Sequence, residues 1–92
     1  MIRSFRSKET QSLFRLETNK KFARIERQAL RKLVQLDLAT SIGDMRAPPG
    51  NRLEALSGDR KGQWSIRIDD QFRICFRWMI DGPEDVEIID YH

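Results

Sequence analysis

The last three residues of the sequence, Asp90, Tyr91 and His92, place an acid, a phenolic hydroxyl and the only imidazole of the chain side by side. Histidine has an unperturbed pKa near neutrality, so it can donate or accept a proton at physiological pH. RNA carries its own nucleophile, the 2′-hydroxyl. Cutting it requires a base for that hydroxyl, cations for the phosphorane and an acid for the leaving 5′-oxygen. The tail could supply these proton transfers; the alternative is an exposed terminal histidine with no role.

Arginines on two neighbouring strands could bind the phosphate. The apolar residues of "QWSIRID" and "QFRICFRW" all have even numbers, so on each predicted strand they share one face. Both sets face one core if a loop of three residues, 69–71, pairs Ile68 with Phe72. The register of the predicted hairpin follows from this pairing.

This register places Arg67 opposite Arg73, and Gln63 opposite Arg77. Like charges that face each other on adjacent strands destabilise a sheet by up to about 1 kcal/mol. An anion between the two guanidinium groups would remove the repulsion, and guanidinium matches the geometry of phosphate. The alternative is that the side chains extend apart, or pair with carboxylates of the loop or the tail.

The basic residues are unevenly distributed. Residues 1–62 contain 14 Lys or Arg and 7 Asp or Glu, whereas residues 63–92 contain 3 and 7. Such an excess attracts a polyanion, usually nucleic acid, although most charged helix faces are merely solvated. Four basic residues spaced by four, three and four positions predict one stripe on a helix, opposite its apolar face. They are Lys20, Arg24, Arg27 and Arg31.

The sequence predicts no metal site or cofactor. A single histidine among scattered carboxylates is a poor ligand set, and Cys75 has no second cysteine for a disulfide or a zinc site. Because Cys75 lies in a strand-like segment, we expect a small, half-buried residue and not a catalytic thiol.

The first half of the chain predicts a short strand and two helices. "IRSF" is a short alternating run. Ser7 is expected to cap a helix over residues 8–17, with Leu13, Phe14 and Leu16 turned inward.

A second helix is predicted over residues 22–40, with Gly43 placed to end it. The residues 43–50 include Pro-Pro-Gly, which continues neither helix nor central strand, and form the segment expected to be most mobile. The apolar positions that follow the helical period are Phe22, Ile25, Ala29, Leu33 and Leu36.

The second half changes to β-rich runs: "RLEAL", "QWSIRID", "QFRICFRWM" and "DVEIIDY". With 92 residues, the chain is expected to form one domain over residues 1–92. The predicted fold class is α+β, with two N-terminal helices packed on a twisted antiparallel sheet of four to five strands. No apolar run is long enough for a bilayer span or a signal peptide, so we expect a cytoplasmic protein.

Three segments together resemble a known family: "MIRSF", "PPGNRLEALSGDRKGQWSIRIDDQFRICFRW" and "VEIIDYH". They are similar to the HigB-type toxins, the plasmid-maintenance killer proteins of the RelE superfamily, and most of all to the branch containing the GraT toxin. The resemblance covers essentially the whole chain and implies a microbial-RNase-like fold. It also implies a metal-independent endoribonuclease that cleaves mRNA in the ribosomal A site and stops translation. The implied partner is a cognate helix-turn-helix antitoxin of the HigA type, for which the N-terminal strand and first helix are the expected surface.

The resemblance also implies roles for individual residues. Arg73 is expected to hold the scissile phosphate, and Asp90, Tyr91 and His92 match the active-site tail. The basic stripe would face ribosomal RNA. Arg67, beside a position where many relatives carry another basic residue, is expected to help bind the substrate. The other cations of this chain expected to bind the substrate are Arg77, Arg60 and Lys61.

The chain departs from the family pattern at two positions. Many relatives carry a lysine just before the Gly-Asp-Arg turn and a histidine three residues earlier, whereas this chain has Ser57 and Glu54. Losing a cation and gaining an anion near the phosphate predicts a weaker cleft and a mild toxin, unless Arg60, Lys61 or Arg67 compensates.

Two other function classes stay open. A toxin of the same fold could inhibit DNA gyrase, but it would have no need of an Asp-Tyr-His ending beside arginines. A non-catalytic basic module could bind RNA, and it would tolerate the loss of His92.

Overall fold

The computed structural model describes residues 1–17 and 20–91. Two helices pack on one face of a four-stranded antiparallel sheet, whose strands lie in the same order as in the chain. This architecture confirms the predicted α+β class. The helices are α1 (Lys8–Phe14) and α2 (Glu26–Leu38), and the strands are β1 (Glu54–Ala55), β2 (Trp64–Arg67), β3 (Phe72–Met79) and β4 (Gly82–Asp90).

Helix α1 begins where the sequence predicts and ends earlier. Ser7 caps it, because its Oγ accepts a hydrogen bond from the backbone N–H of Thr10 at 3.0 Å. Leu13 is buried and Phe14 packs against the core. Leu16, however, has a φ of 64° and is 74% exposed, so its predicted inward orientation is wrong. The chain leaves helical geometry before Leu16, and the helical period then no longer determines where its side chain points.

All five residues of the predicted apolar face are buried. Helix α2 carries Ala29, Leu33 and Leu36, whereas Phe22 and Ile25 lie just before it. A 3₁₀ turn, Ala23–Ile25, precedes it, and the helix ends at Leu38, where Ala39 becomes extended. Gly43 therefore does not end the helix, contrary to the prediction. A separate 3₁₀ turn, Ile42–Arg46, occupies this segment. A second 3₁₀ turn follows at Pro49–Asn51.

The N-terminal segment covers the outer edge of β4 without becoming a full strand. Phe5 forms a single parallel bridge with Val86. The N–H of Arg3 donates to the carbonyl of Pro83 at 2.8 Å, and the N–H of Val86 donates to the carbonyl of Ser4 at 3.1 Å. The predicted first strand is thus a short extended segment that shields part of the β4 edge.

The register of the central hairpin is the predicted one. Ile66 pairs with Ile74, and Arg67 pairs with Arg73. The even-numbered side chains enter the core between sheet and helices, where Ile66, Ile74 and Phe76 have no exposed surface. The odd-numbered side chains lie on the opposite surface, which we call the polar face. It carries Ser65, Arg67, Arg73, Cys75 and Arg77.

Strand β4 completes the polar face through a bulge. Cys75 pairs with Glu87, but Arg77 pairs with Glu84, so strand β4 has one extra residue between these pairs. Asp85 lies there with a φ of 53°. The bulge keeps Val86 in the core while both glutamates lie on the polar face. Within the described ranges, no helix is long and apolar enough to cross a membrane.

Candidate active site on the polar face

A cleft of about 340 Å³ opens on the polar face. Strand β1 forms one wall and the segment after it, which contains the 3₁₀ turn Gly58–Arg60, forms another. The C-terminal end of the chain after β4 reaches the same cleft. The polar residues that line it are Glu54, Ser57, Asp59, Arg60 and Tyr91.

Arg73 lies beside this cleft and is only 8% exposed. Its Nε donates to Ser65 Oγ at 2.9 Å, and its Nη2 donates to the carbonyl of Arg52 at 2.8 Å. The same Nη2 lies 3.5 Å from Glu54 Oε1. The guanidinium carbon lies 5.5 Å from the centre of the Tyr91 ring, a cation–π distance. A permanent cation is thus held in a fixed orientation next to a phenol.

The Arg52 carbonyl that accepts the hydrogen bond from Arg73 belongs to a turn that the buried side-chain amide of Asn51 stabilises. Arg52 has a φ of 45°, in the left-handed region. Asn51, which precedes it, is fully buried, and its Nδ2 donates to the carbonyls of Met45 and Ala47, each at 3.1 Å. Lys32 of helix α2 donates to Asn51 Oδ1. Helix α2 and the turn therefore fix the backbone against which Arg73 packs.

Arg60 contributes a second cation to the cleft wall. Its Nη1 donates to Gln63 Oε1 and to Glu87 Oε1, each at 3.0 Å. Arg6 Nε also lies 3.9 Å from Glu87 Oε1. Glu87 therefore offsets part of the Arg60 charge and ties the cleft wall to the sheet.

The other predicted substrate-binding residues do not line the cleft. Arg67 faces Arg73 in the register, but it pairs with Asp70 of the connecting loop while Arg73 turns to Ser65. The opposed arginines thus extend apart, as the alternative interpretation held. Arg77 Nε lies 3.6 Å from Asp85 Oδ2 at a different place on the sheet, and Lys61 is exposed beyond the 3₁₀ turn.

Asp90 and Tyr91 of the tail lie on different sides of the sheet. Asp90 pairs with Phe72, so its side chain lies on the helix side, where Gln71 Nε2 donates to Asp90 Oδ2 at 3.0 Å. There it borders a second cavity, of about 450 Å³, with Phe22 and Ile88. Tyr91 lies on the Arg73 side. His92 falls outside the described residues, so the catalytic assignment of the tail stays a prediction.

The basic stripe is exposed along its length, but its members differ in what they contact. Lys20, Arg27 and Arg31 are exposed on and before helix α2. Arg24 instead reaches the loop after β2, where it donates to Asp69 Oδ2 at 3.2 Å and to Gln71 Oε1 at 2.9 Å.

The basic surface continues from helix α2 toward the sheet. The pKa of Lys32 is lowered first by burial and then by the charges of Arg31 and Arg67. Two residues distant in sequence, on helix α2 and strand β2, thus act on one ammonium group. The positive charge of Arg67 on strand β2 therefore also acts on Lys32 of helix α2.

Sequence reasoning missed Ser65 and the Arg52 carbonyl, and it interpreted Glu54 only as a departure from the family. A signal for Ser65 was present, because it lies at an odd position two residues before Arg67 and so shares the polar face. No signal placed Arg52, since its carbonyl direction depends on a left-handed residue that is not glycine. Among the described residues, no group of His, Cys, Asp and Glu is arranged to hold a metal ion.

Comparisons with known proteins point to one family. A family model described as a RelE-like toxin of the type II toxin–antitoxin system HigB matches residues 3–92. Toxin HigB-1 of Vibrio cholerae serotype O1 is 46% identical over 68 residues, which cover 74% of this chain and 70% of that protein. Endoribonuclease HigB of Proteus vulgaris is 30% identical over 93 residues, with 100% of both chains covered. The likeness to the GraT branch is not tested by these relatives and stays a prediction.

Proposed function

Because the chain belongs to the HigB-like family of RelE-like toxins of type II toxin–antitoxin systems, we propose that it is an endoribonuclease that cleaves mRNA in the ribosomal A site. The observation that carries this proposal is the pairing of Arg73 with Tyr91 beside a polar cleft. The name of the Proteus vulgaris relative, an endoribonuclease, supports the same chemistry.

Arg73 is the residue proposed to bind the scissile phosphate. Its contacts with Ser65 and Arg52 fix the plane of the guanidinium before substrate arrives. A fixed cation stabilises the charge that develops on the phosphorane without reorganising during the reaction. Arg60 adds positive charge from the cleft wall, and the Tyr91 hydroxyl can donate a hydrogen bond to a phosphate oxygen.

His92 is proposed to protonate the leaving 5′-oxygen, since imidazole titrates near neutral pH. For Asp90, the hydrogen bond from Gln71 on the helix side supports a role in anchoring the tail and not in contacting the substrate. The reaction proposed needs no metal, because the nucleophile belongs to the RNA and the cations belong to the protein.

The basic stripe is proposed to contact ribosomal RNA. Lys20, Arg27 and Arg31 are exposed, and Arg67 extends the same charge toward the sheet. Arg24 is partly engaged by its own chain and is expected to contribute less. Phosphate contacts of this kind weaken steeply as salt concentration rises.

The proposed partner is a cognate antitoxin of the HigA type, a helix-turn-helix protein that neutralises the toxin. The description of the matching family, a toxin of a type II toxin–antitoxin system, supports such a partner. Co-expression of the neighbouring gene product should restore growth and copurify with the chain.

Inducible expression tests the proposal, with growth and mRNA 5′ ends followed together. The wild-type chain should slow growth and create new mRNA ends inside reading frames. Arg73→Ala should lower cleavage by about 10²- to 10³-fold, because it removes the cation at the phosphorane. Arg3→Ala is the matched control, since Arg3 lies beside Gly82 at the opposite end of β4 from Tyr91.

Two results would contradict the proposal. Growth arrest without new mRNA ends would exclude a ribonuclease, and a gyrase supercoiling assay would then be the next measurement. Equal cleavage by Arg73→Ala and Arg3→Ala would remove Arg73 from the site.

A further inference from the structure

The backbone at Arg52 has an uncommon conformation next to the arginine proposed to bind the phosphate. Its φ of 45° lies in the left-handed region, which residues with long side chains rarely adopt. Such a conformation persists only where the surrounding structure imposes it, and it occurs most often at functional sites. Here it accompanies a specific contact, because the Arg52 carbonyl accepts a hydrogen bond from Arg73 Nη2 at 2.8 Å.

Asn51 holds this backbone in place from the preceding position. It has no exposed surface, and its Nδ2 donates to the carbonyls of Met45 and Ala47, each at 3.1 Å. Its Oδ1 accepts a hydrogen bond from Lys32 of helix α2. Turning the backbone at Arg52 would pull these groups apart and leave buried donors and acceptors without partners, which costs free energy. The amide of Asn51 therefore fixes the direction of the carbonyl that follows it.

The Arg52 carbonyl is one of two firm attachments of the Arg73 guanidinium. It lies 2.8 Å from Nη2, whereas the Ser65 carbonyl and Glu54 Oε1 are each 3.5 Å from the same nitrogen. The other attachment is Ser65 Oγ, which accepts a hydrogen bond from Nε at 2.9 Å. Because a guanidinium is planar and rigid, bonds to two of its nitrogens fix its plane, whereas a single bond leaves it free to turn.

We propose that Asn51 is a positioning residue for Arg73, an assignment that rests on the proposed ribonuclease function. Asn51 holds the turn that directs the Arg52 carbonyl, and this carbonyl holds the Arg73 guanidinium in the plane that receives the phosphate. Lys32 extends the same path to helix α2 through its bond to Asn51 Oδ1. Loss of the Asn51 amide should therefore slow the chemical step more than it weakens binding of the ribosome.

The first measurement uses the purified chain without ribosomes, so it does not depend on the ribonuclease function. Exchange of the Arg73 Nη hydrogens with water is followed by NMR in wild type, Asn51→Ala, Lys32→Met and Thr10→Val. In Asn51→Ala and Lys32→Met this exchange should be about five- to tenfold faster, the equilibrium value of one hydrogen bond. In Thr10→Val it should match wild type.

Thr10→Val is the matched control for the loss of a buried polar group. Thr10 is as fully buried as Asn51, and its Oγ1 accepts a hydrogen bond from the N–H of Ile88 at 2.9 Å. It lies on helix α1, however, on the other face of the sheet from Arg73. Its substitution should lower the urea midpoint of unfolding, as Asn51→Ala does, without changing the orientation of Arg73.

The second measurement is single-turnover cleavage of mRNA on purified ribosomes, at a temperature where every variant is folded. Asn51→Ala should lower the saturated rate by about 10- to 10²-fold, the cost of displacing a catalytic group by up to about 1 Å. The ribosome concentration that gives half the saturated rate should stay near that of wild type. Thr10→Val should keep the wild-type rate despite its lower stability.

A double-mutant cycle tests whether Asn51 acts through Arg73. In the Arg73→Ala background, Asn51→Ala should lower the residual cleavage rate no further, since the group that it orients is already absent. Its effect on the urea midpoint should persist in the same background. A residue that contributes only to stability would not produce this separation.

Several outcomes would overturn the assignment. Guanidinium exchange in Asn51→Ala could equal that of wild type, or Asn51→Ala and Thr10→Val could lose the same fraction of the rate. If Asn51→Ala does not fold, Lys32→Met decides by the same two measurements. Faster exchange in the variants, with wild-type chain that leaves mRNA intact, would instead refute the ribonuclease function while showing that Asn51 orients Arg73.

Discussion

Each face of the sheet has a buried centre, but the two centres are buried by different means. On the helix side, Ile74 and Phe76 have no exposed surface and contact other apolar side chains. On the polar face, Ser65 and Cys75 are also fully buried, and Arg73 is 8% exposed. The helix side gains stability from apolar area removed from water, whereas the polar face must satisfy each buried donor and acceptor. The buried apolar side chains therefore stabilise the fold, whereas the buried polar contacts hold the Arg73 guanidinium in one orientation.

The largest effect should come from the helix side. Phe76→Ala should lower the free energy of unfolding by about 3–5 kcal/mol, since it removes a fully buried aromatic ring and leaves a cavity. Urea unfolding followed by tryptophan fluorescence measures this loss. The matched variant on the neighbouring residue is Cys75→Ala, which removes one buried sulfur atom and should lower the free energy of unfolding far less. If the two variants unfold at the same urea concentration, the contrast between the faces is wrong.

The alternation of apolar residues predicted the helix side well, and physical reasons explain why. Successive side chains of a strand point to opposite faces, so the alternation fixes which side chains of β2 and β3 share a face. Only one register of the hairpin buries the apolar side chains of both strands in the same core. The pairing of Arg67 with Arg73 followed from that register and is confirmed. Helix α2 was predicted for the same reason, because its apolar period matches its buried face. The end of the helix differs from the prediction, because the chain becomes extended at Ala39, before it reaches Gly43.

The polar face could be predicted only in part. The alternation of side chains along β2 and β3 predicts which residues lie on this face. The segments that cover those residues, β1 and the turn Gly58–Arg60, have no periodic apolar pattern and could not be placed in the same way. Because Ile88 and Ile89 are both apolar, the alternation of apolar and polar residues also did not show which face each residue of the tail occupies. The structure places Tyr91 beside Arg73 and Asp90 on the helix side, and alternation could not choose between these arrangements. The residue predicted to weaken the cleft, Glu54, is the one that contacts Arg73.

A smaller effect should appear at alkaline pH, from the thiol on the polar face. Burial raises the pKa of Cys75 from 9.0 to about 11, so the folded chain keeps a proton that the unfolded chain loses. A raised pKa stabilises the folded state fully below the unfolded value, and this contribution is lost as pH rises. Between pH 9 and 11 the free energy of unfolding should fall by roughly 1.4 kcal/mol per pH unit because of this group.

Comparison with Cys75→Ala isolates the thiol from other groups that titrate in alkali. Urea unfolding of both chains below pH 9 and near pH 11 should show a steeper decline in the wild type. Parallel declines would mean that the thiol ionises as easily in the folded chain as in the unfolded one. Its burial would then not resist ionisation, and the polar face would be more open to water than its packing implies.

The smallest effect on stability should come from a substitution at Ser65, which also tests whether burial on the polar face orients Arg73. Ser65→Ala removes the hydroxyl that accepts a hydrogen bond from Arg73 Nε at 2.9 Å. The free energy of unfolding should fall by about 1 kcal/mol, the net value of one such bond. Cleavage should fall by about tenfold, because the guanidinium loses one of the contacts that fix its plane. Ser12→Ala is the matched control, since Ser12 lies on helix α1, on the other face of the sheet.

A double-mutant cycle shows whether Ser65 acts through Arg73. In the Arg73→Ala background, Ser65→Ala should lower the free energy of unfolding less than it does in the wild type, since the hydrogen bond is already absent. An unchanged cleavage rate in Ser65→Ala, together with the expected loss of stability, would contradict the orienting role. The polar face would then resemble the helix side, with its buried groups contributing to the fold alone. A rate loss larger than the stability loss can explain would show that burial on this face serves the orientation of Arg73.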